Sequence, residues 1–404
     1  MSYAIFKVGI VGGGTMGGGV AALIARQGLP VIVKEGNEEL AIRAHDGIFA
    51  RFQGWYDKGK INKHRLEELQ SLVTVTARSD DLSDVQLFIE AVREEIDLKL
   101  EIFREFDRIL PKEVIMVSNT SSLPITKLAE ATTRGDKVAG MHFFNPPTRM
   151  LLVELVRGRY TSEETFKIID DFAKETLEKK TIRVEDRPGF LVNCLLLPYL
   201  NEAVLGIEEA LVTPEAIDET ARGHGWVMGP FTLLDFVGID VAVFVAQFLT
   251  QSYGDRMKMG TLFSEILKLG RLGDKVGVGF YSNDDSVEPI GHILERLYPN
   301  RRNDVTAADI FERMMSSVLN EAVFALESKV ASKEDIELGA KAGIFFPSSK
   351  FFHSGGPLHT IDSMGALTLL QTLERLERTV GSRFSPRPLL REKAGKGEKF
   401  FSLW

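Results

Sequence analysis

One cysteine in 404 residues leaves no internal disulfide framework, and that scarcity fits a reducing compartment. The single thiol, Cys194, lies in Phe190-Leu-Val-Asn-Cys-Leu-Leu-Leu197. Such apolar surroundings make it a small buried hydrophobe rather than an ionised nucleophile. No apolar run approaches the roughly 20 residues of a membrane span. The N-terminus has no basic flank followed by a cleavable apolar segment, because the first apolar run passes straight into a glycine motif. Positive charge is also short: 49 Lys and Arg against 57 Asp and Glu give a net charge of −8. This argues against a general nucleic-acid surface and leaves room only for a local basic patch facing an anionic ligand. The absences together predict a cytoplasmic protein with no membrane span and no nucleic-acid partner. What is present is a globular composition, 44% hydrophobic and 26% charged, over a length that predicts two or three domains.

The short apolar run Ile5 to Val11 leads into Gly12-Gly13-Gly14-Thr15-Met16-Gly17, after which Val20 to Ala25 reads as a helix. In this strand, turn and helix the first glycine makes the turn and the second lets a pyrophosphate approach the backbone. The third lets helix pack on strand. The run Val31 to Glu35 reads as the next parallel strand, ending in a carboxylate 18 positions past Gly17. A carboxylate there accepts from an adenosine ribose and repels a 2′-phosphate, so NAD is expected over NADP. Residues 37 to 70 are charged and helical in pattern; Lys58, Lys60, Lys63 and Arg65 form either a solvated face or a basic lip for a polyanionic substrate tail. Two further strands, Leu87 to Val92 and Val114 to Val117, flank a helical stripe within Glu94 to Leu110. The second strand ends in Ser118-Asn-Thr-Ser-Ser-Leu123, where doubly wound folds bind ligands or where small polar residues cap the next helix, Ile125 to Ala131.

The stretch from Lys137 to Phe144 is strand-like and carries His142; it breaks at Asn145-Pro146-Pro147 and resumes as an apolar run ending in Glu154. If the two runs fold back about that turn, positions 142 and 154 lie opposite one another. An imidazole can then take a proton from a hydroxyl while the carboxylate fixes its tautomer and stabilises the imidazolium. Taken singly, the two residues are a core histidine and a surface glutamate. Metal chemistry is not expected: His224 and His292 are isolated, and His353 and His359 fall in a glycine-rich stretch read as a loop.

Beyond Glu185-Asp-Arg-Pro-Gly189 the pattern turns helical and is written twice. Asn201-Glu-Ala-Val204 recurs as Asn320-Glu-Ala-Val323. After an insertion around Ser348 to Ser354 the echo resumes with Gly229-Pro230 and Gly356-Pro357, Asp235 and Asp362, and Gly238 and Gly365. The chain is therefore expected to hold a doubly wound α/β domain over 1–187 and a helical domain over 188–283. A polar linker over 284–303 precedes a second helical copy over 304–404. The second copy can cover within one chain the apolar faces that a single-copy protein would bury by dimerising, so a monomer or a homodimer is expected.

These residues resemble the L-3-hydroxyacyl-CoA dehydrogenases of fatty-acid β-oxidation over essentially the whole chain. The likeness rests on Gly12 to Gly17, Glu90-Ala-Val-x-Glu94 with Lys99, Ser118 to Ser122, His142 to Pro146 with Val153-Glu154, and Pro188 to Asn193. Met228-Gly-Pro230 with Asp235 and Gly277 to Tyr281 extend it. The tandem helical units look most like the dehydrogenase portion of bacterial multifunctional proteins. Those carry an enoyl-CoA hydratase domain in the same polypeptide, so a separate hydratase or thiolase is an expected partner. The resemblance implies a Rossmann-type domain followed by two tandem all-α domains, NAD as cofactor, and oxidation of (3S)-3-hydroxyacyl-CoA to 3-ketoacyl-CoA. It implies His142 as general base and Glu154 as its orienting partner. Ser121, Asn145 and Asn193 would contact the substrate's hydroxyl or carbonyl region, Asn145 also on the cofactor side. Glu94, Lys99 and Ser118 match positions on the nicotinamide ribose side. Two departures stand out: Glu35 replaces a more usual Asp, and Cys194 follows Asn193 where relatives often have Arg. The second helical copy holds nothing resembling His142 and Glu154 and is expected to be structural. A dehydrogenase of the hydroxyisobutyrate type would rely on a lysine in place of this pair. The non-enzyme alternative is an idle NAD-binding or scaffold subunit.

Overall fold

The computed structural model describes residues 3–347 and 355–401 and divides into two compact units, Met1–Phe190 and Leu191–Trp404. The first unit runs β1 (Val8–Val11), α1 (Thr15–Arg26), β2 (Val31–Lys34), α2 (Glu38–Asp57), α3 (Lys63–Ser71), β3 (Val73–Thr76), β4 (Leu87–Glu90), α4 (Ile96–Ile109), β5 (Ile115–Ser118) and α5 (Ile125–Glu130). It continues with β6 (Val138–Phe143), β7 (Leu152–Arg157), α6 (Glu163–Asp171) and β8 (Lys180–Glu185). One sheet holds all eight strands in the order β3-β2-β1-β4-β5-β6-β7-β8. The first six are parallel, β7 is antiparallel to β6, and β8 is parallel to β7.

That order reverses between β1 and β4, so the carboxyl ends of these strands diverge and leave the crevice where such sheets bind ligands. Strands β1, β4 and β5 are buried at every position, as parallel strands covered on both faces must be. Helices α2 and α3 start where Asn37 and Asn62 accept from the amides of Leu40 (2.9 Å) and Arg65 (2.8 Å), satisfying N–H groups that have no partner within the helix.

The second unit is helical: α7 (Val192–Glu209), α8 (Pro214–Gly223), α9 (Pro230–Val237), α10 (Ile239–Tyr253) and α11 (Leu262–Lys268) precede α12 (Ile290–Leu297). Then come α13 (Ala307–Glu327), α14 (Lys333–Gly343), α15 (Pro357–Met364), α16 (Ala366–Thr379) and α17 (Pro388–Lys396). The echoed residues take the same local roles. Asn201 binds the Lys258 carbonyl and the Gly260 amide, as Asn320 binds the Ser385 carbonyl and the Arg387 amide. Asp235 accepts from the amides of Phe280 and Tyr281, as Asp362 does from Phe400 and Phe401. Helices α7 and α13 pack together, and their ion pairs cross, Glu202 to Arg383 and Glu321 to Arg256. The stretch read as a polar linker contains α12, with Ile290, Ile293 and Leu294 buried. The insertion at 348–354, with His353, lies outside the described residues. Among the described residues no single helix is long and apolar enough to cross a membrane.

One buried ion pair braces the sheet's helical cover. Arg134, 3% exposed, donates Nε to Asp107 Oδ1 at 2.8 Å and Nη2 to the carbonyls of Asp107 and Leu110, 2.8 Å each. Burial pushes the Asp107 carboxyl up, but hydrogen bonds from Thr133 and Arg134 outweigh it and hold the group below the usual carboxylate range. A depressed folded pKa stabilises above the unfolded value, about 3.9, and that stabilisation is lost as pH falls through the folded value. Removing one partner of a buried pair strands the other, so Arg134→Met should lower the unfolding free energy by about 3–5 kcal/mol at neutral pH. Urea denaturation checks this. The gap between wild type and Asp107→Asn should narrow as pH falls below about 4.

Candidate active site

At the end of β1 the chain turns through Gly12 at φ +97°, a left-handed conformation that glycine adopts without steric cost. A Cβ on Gly17 would lie 1.8 Å from the Gly12 carbonyl oxygen, so only glycine lets α1 begin this close to the strand. A Cβ on Gly14 would meet nothing within 4 Å. The protein's own packing therefore does not require that glycine, and its open side faces outward at the amino end of α1. Thr15 is exposed and Met16 half-buried there. Glu35, just past β2, accepts from the Gly13 amide at 2.6 Å.

Across the crevice, the carboxyl ends of β4 and β5 carry a buried charge network. Glu90, with no exposure, ends β4 and accepts from Lys99 Nζ at 2.6 Å, from the Val92 amide at 2.7 Å and from Ser118 Oγ at 2.5 Å. Lys99, 1% exposed, also reaches Glu94 Oε2 at 3.3 Å. The other Glu94 oxygen collects Thr120 Oγ1 (2.5 Å), the amides of Ser121 (2.9 Å) and Ser122 (3.1 Å), and both serine hydroxyls. Burial pushes the Glu94 carboxyl up, but the Lys99 charge and these donors outweigh it, so it lies below the usual range and stays ionised at neutral pH.

His142, near the end of β6, pairs in register with Glu154 on β7. Its Nδ1 lies 2.6 Å from Glu154 Oε2, with the imidazole 7% exposed and the glutamate not at all. Phe144 and Phe190 flank the ring, centroids 4.6 and 6.0 Å away. The next amide, that of Phe143, donates to Asn119 Oδ1 at 2.8 Å, tying β6 to the polar loop after β5.

The chain has counterparts among known proteins. Residues 7–187 match the model of the 3-hydroxyacyl-CoA dehydrogenase NAD binding domain, and residues 189–283 that of the family's C-terminal domain. The chain belongs to the 3-hydroxyacyl-CoA dehydrogenase family. The solved 3-hydroxybutyryl-CoA dehydrogenase of Escherichia coli is 26% identical, with a TM-score of 0.85 over 97% of this chain and 99% of that one. The (S)-3-hydroxybutyryl-CoA dehydrogenase PaaH1 of Ralstonia eutropha is 36% identical, TM-score 0.65, over 70% of this chain and all of its own. The fatty acid oxidation complex subunit alpha of Shewanella halifaxensis is 36% identical over 98% of this chain and 56% of its own length. The chain thus spans a little over half the length of the curated relatives it matches. The matched domain model is an NAD binding domain, and the open glycine turn with Glu35 beside it fits that cofactor.

The structure brings the sequence-predicted residues of the first unit into three groups. Gly12, Gly14, Thr15, Met16, Gly17 and Glu35 form the first, Glu94, Lys99, Ser118 and Ser121 the second, and His142 with Glu154 the third. Asn145 follows Phe144 in the turn from β6 to β7, and Asn193 lies half-buried in the first turn of α7 in the second unit. The sequence placed Glu90 in a matching motif and read Ser118 to Leu123 as ligand-binding or helix-capping, but assigned Glu90, Asn119, Thr120 and Ser122 no individual role. Glu90 had a signal, an acidic residue within the otherwise apolar run Leu87 to Val92.

Two readings need correcting. His359 is in the first turn of α15, not in a loop, because Pro357 starts that helix. The second copy does contain an imidazole–carboxylate pair, His359 Nδ1 to Glu337 Oε2 at 2.7 Å. Glu337 also accepts the amides of Gly356 and Leu358, so this pair caps a helix instead of ending a strand. Among the described residues no three His, Cys, Asp or Glu side chains group as metal ligands.

Lys99→Met should leave Glu90 buried without its cation and Glu94 without its charged partner. We expect the NADH Kd, read by fluorescence titration, to rise about tenfold or more, the equivalent of one charge-assisted hydrogen bond.

Proposed function

We propose that this chain interconverts (3S)-3-hydroxyacyl-CoA and 3-ketoacyl-CoA with NAD, using His142 as general base and Glu154 as its orienting partner. The observation that carries the reading is the 2.6 Å contact of His142 with Glu154 on the strand that follows the cofactor sheet's ligand-binding edge. With Nδ1–H donated to the carboxylate, Nε2 is left unprotonated as the base. Bound NAD+ supplies the hydride acceptor. The chain's own part is the proton: Nε2 takes it from the C3 hydroxyl as the carbonyl forms, and Glu154 offsets the charge that develops on the ring. Reduction runs the same transfer backwards, the imidazolium returning the proton to oxygen.

Gly12, Gly14, Thr15, Met16 and Gly17 would hold the pyrophosphate at the amino end of α1. Glu35 would hold the adenosine ribose and disfavour a 2′-phosphate. Glu94, Lys99 and Ser118 serve the nicotinamide ribose side, and Asn145 the junction with substrate. Ser121 and Asn193 would steady the hydroxyl or carbonyl of the acyl group. The domain boundaries that accompany this reading are 1–187, 188–283, a linker over 284–303, and 304–404. The packing of α13 on α7 supports a structural second copy and favours a monomer over a homodimer. A cytoplasmic location accords with the lone buried Cys194. A separate enoyl-CoA hydratase or thiolase is the partner chemistry that would supply or consume these thioesters. A scaffold subunit without activity would have no use for the buried imidazole–carboxylate contact.

NADH oxidation with acetoacetyl-CoA and with longer 3-ketoacyl-CoAs tests this. His142→Gln should lower kcat by about 10²–10⁴ with NADH affinity little changed. Retention of more than about a tenth of kcat contradicts the base assignment, and a wild-type protein that binds NADH but turns over no thioester contradicts the whole reading.

A further inference from the structure

The turn between His142 and Glu154 is held by a residue that no part of the reaction uses. Lys179, immediately before β8 and 7% exposed, donates Nζ to the carbonyls of Pro147 and Met150, 2.7 Å each. Among the described residues no carboxylate pairs with it. Burial, with the Arg26 charge adding to it, pushes the ammonium down to about 8. A charge placed there without a counter-ion is costly, and a neutral plug of the same length would fill the space. What the ammonium adds is a compact set of donors that bridges two carbonyls of one turn, which burial would otherwise leave unsatisfied.

The same turn also meets the cofactor helix. A Cβ on Gly19 would lie 2.7 Å from Pro147 Cγ, so the cofactor helix α1 seats directly on the proline ring. The amides of Arg149 and Met150 close the turn on the Pro146 carbonyl at 2.9 and 3.0 Å, and the Lys180 amide binds the Leu151 carbonyl at 2.8 Å. We propose that Lys179 is a positioning residue for catalysis: it clamps the 145–150 turn between β8 and α1, and so fixes Asn145 and the His142–Glu154 register relative to the cofactor helix. The proposal rests on the dehydrogenase reading above.

The test compares wild type with Lys179→Met and Lys179→Arg in NADH-dependent reduction of acetoacetyl-CoA. It reads kcat, the NADH Kd, and the isotope effect with NADH deuterated at the transferred position. A misplaced general base should cost Lys179→Met about tenfold or more in kcat, raise the isotope effect as chemistry becomes limiting, and leave the NADH Kd little changed. Lys179→Arg, which keeps donors, should recover part of the rate. A folded Lys179→Met with wild-type kcat and isotope effect overturns the proposal even if its Tm falls, because a purely structural lysine moves only stability. If Lys179→Met does not fold, Gly19→Ala displaces Pro147 through the added methyl; the same fall in kcat is expected, and wild-type kcat there overturns the proposal. An inactive wild type overturns the function reading and this proposal with it, whereas an active wild type with unaffected variants overturns this proposal alone.

Discussion

Antiparallel pairing of β6 with β7 sets His142 against Glu154, and the rest of the first unit depends on that register. A slip by one residue would turn the imidazole to the other face of the sheet. Three constraints hold it: the tight Asn145 to Met150 turn, the Phe143 amide on Asn119, and the parallel pairing of β7 with β8. The chain direction reverses at β7, with β8 following it, and that reversal makes a tight two-strand hairpin available where a parallel sheet would need a long crossover.

The second organising feature is charge buried in pairs. Glu90 with Lys99, Asp107 with Arg134, and Glu202 with Arg313 and Arg383 are almost entirely removed from solvent. Such pairs are weak evidence for stability, since desolvation opposes their attraction. Their placement is more informative. Glu90 and Lys99 sit at the topological switch point, where they orient Glu94 and Ser118. The glutamate–arginine pairs sit between the two helical copies, where the crossed pattern fixes which surfaces meet. Arg313 occupies, at the 119-residue offset of the repeat, the position of Cys194. There its guanidinium is bound to Glu202 and Glu209.

Much of this was legible in the sequence. The glycine turn was readable because its spacing is dictated by backbone sterics, and the His142–Glu154 fold-back because two prolines stop one strand and an apolar run starts the next. Strands β3 and β8 were not read: Val73 to Thr76 is short and half-exposed, and Lys180 to Glu185 alternates charged with apolar residues at a sheet edge. The Glu90–Lys99–Ser118 network could not be derived from spacing, because it exists only once β4 and β5 are neighbours. Helix α15 was missed because Gly355-Gly356-Pro357 reads as a loop, although proline at the first helical position is also a start signal. Lys179 carries no local mark at all; only the folded turn shows what it holds.

In the proposed mechanism Glu154 acts only through the imidazole. The most direct test is a double-mutant cycle on kcat with His142→Gln, Glu154→Gln and the pair together. Residues that work as one unit are non-additive, so the double variant should be no slower than His142→Gln alone. If the two losses multiply instead, Glu154 contributes independently of His142, and the paired mechanism is contradicted.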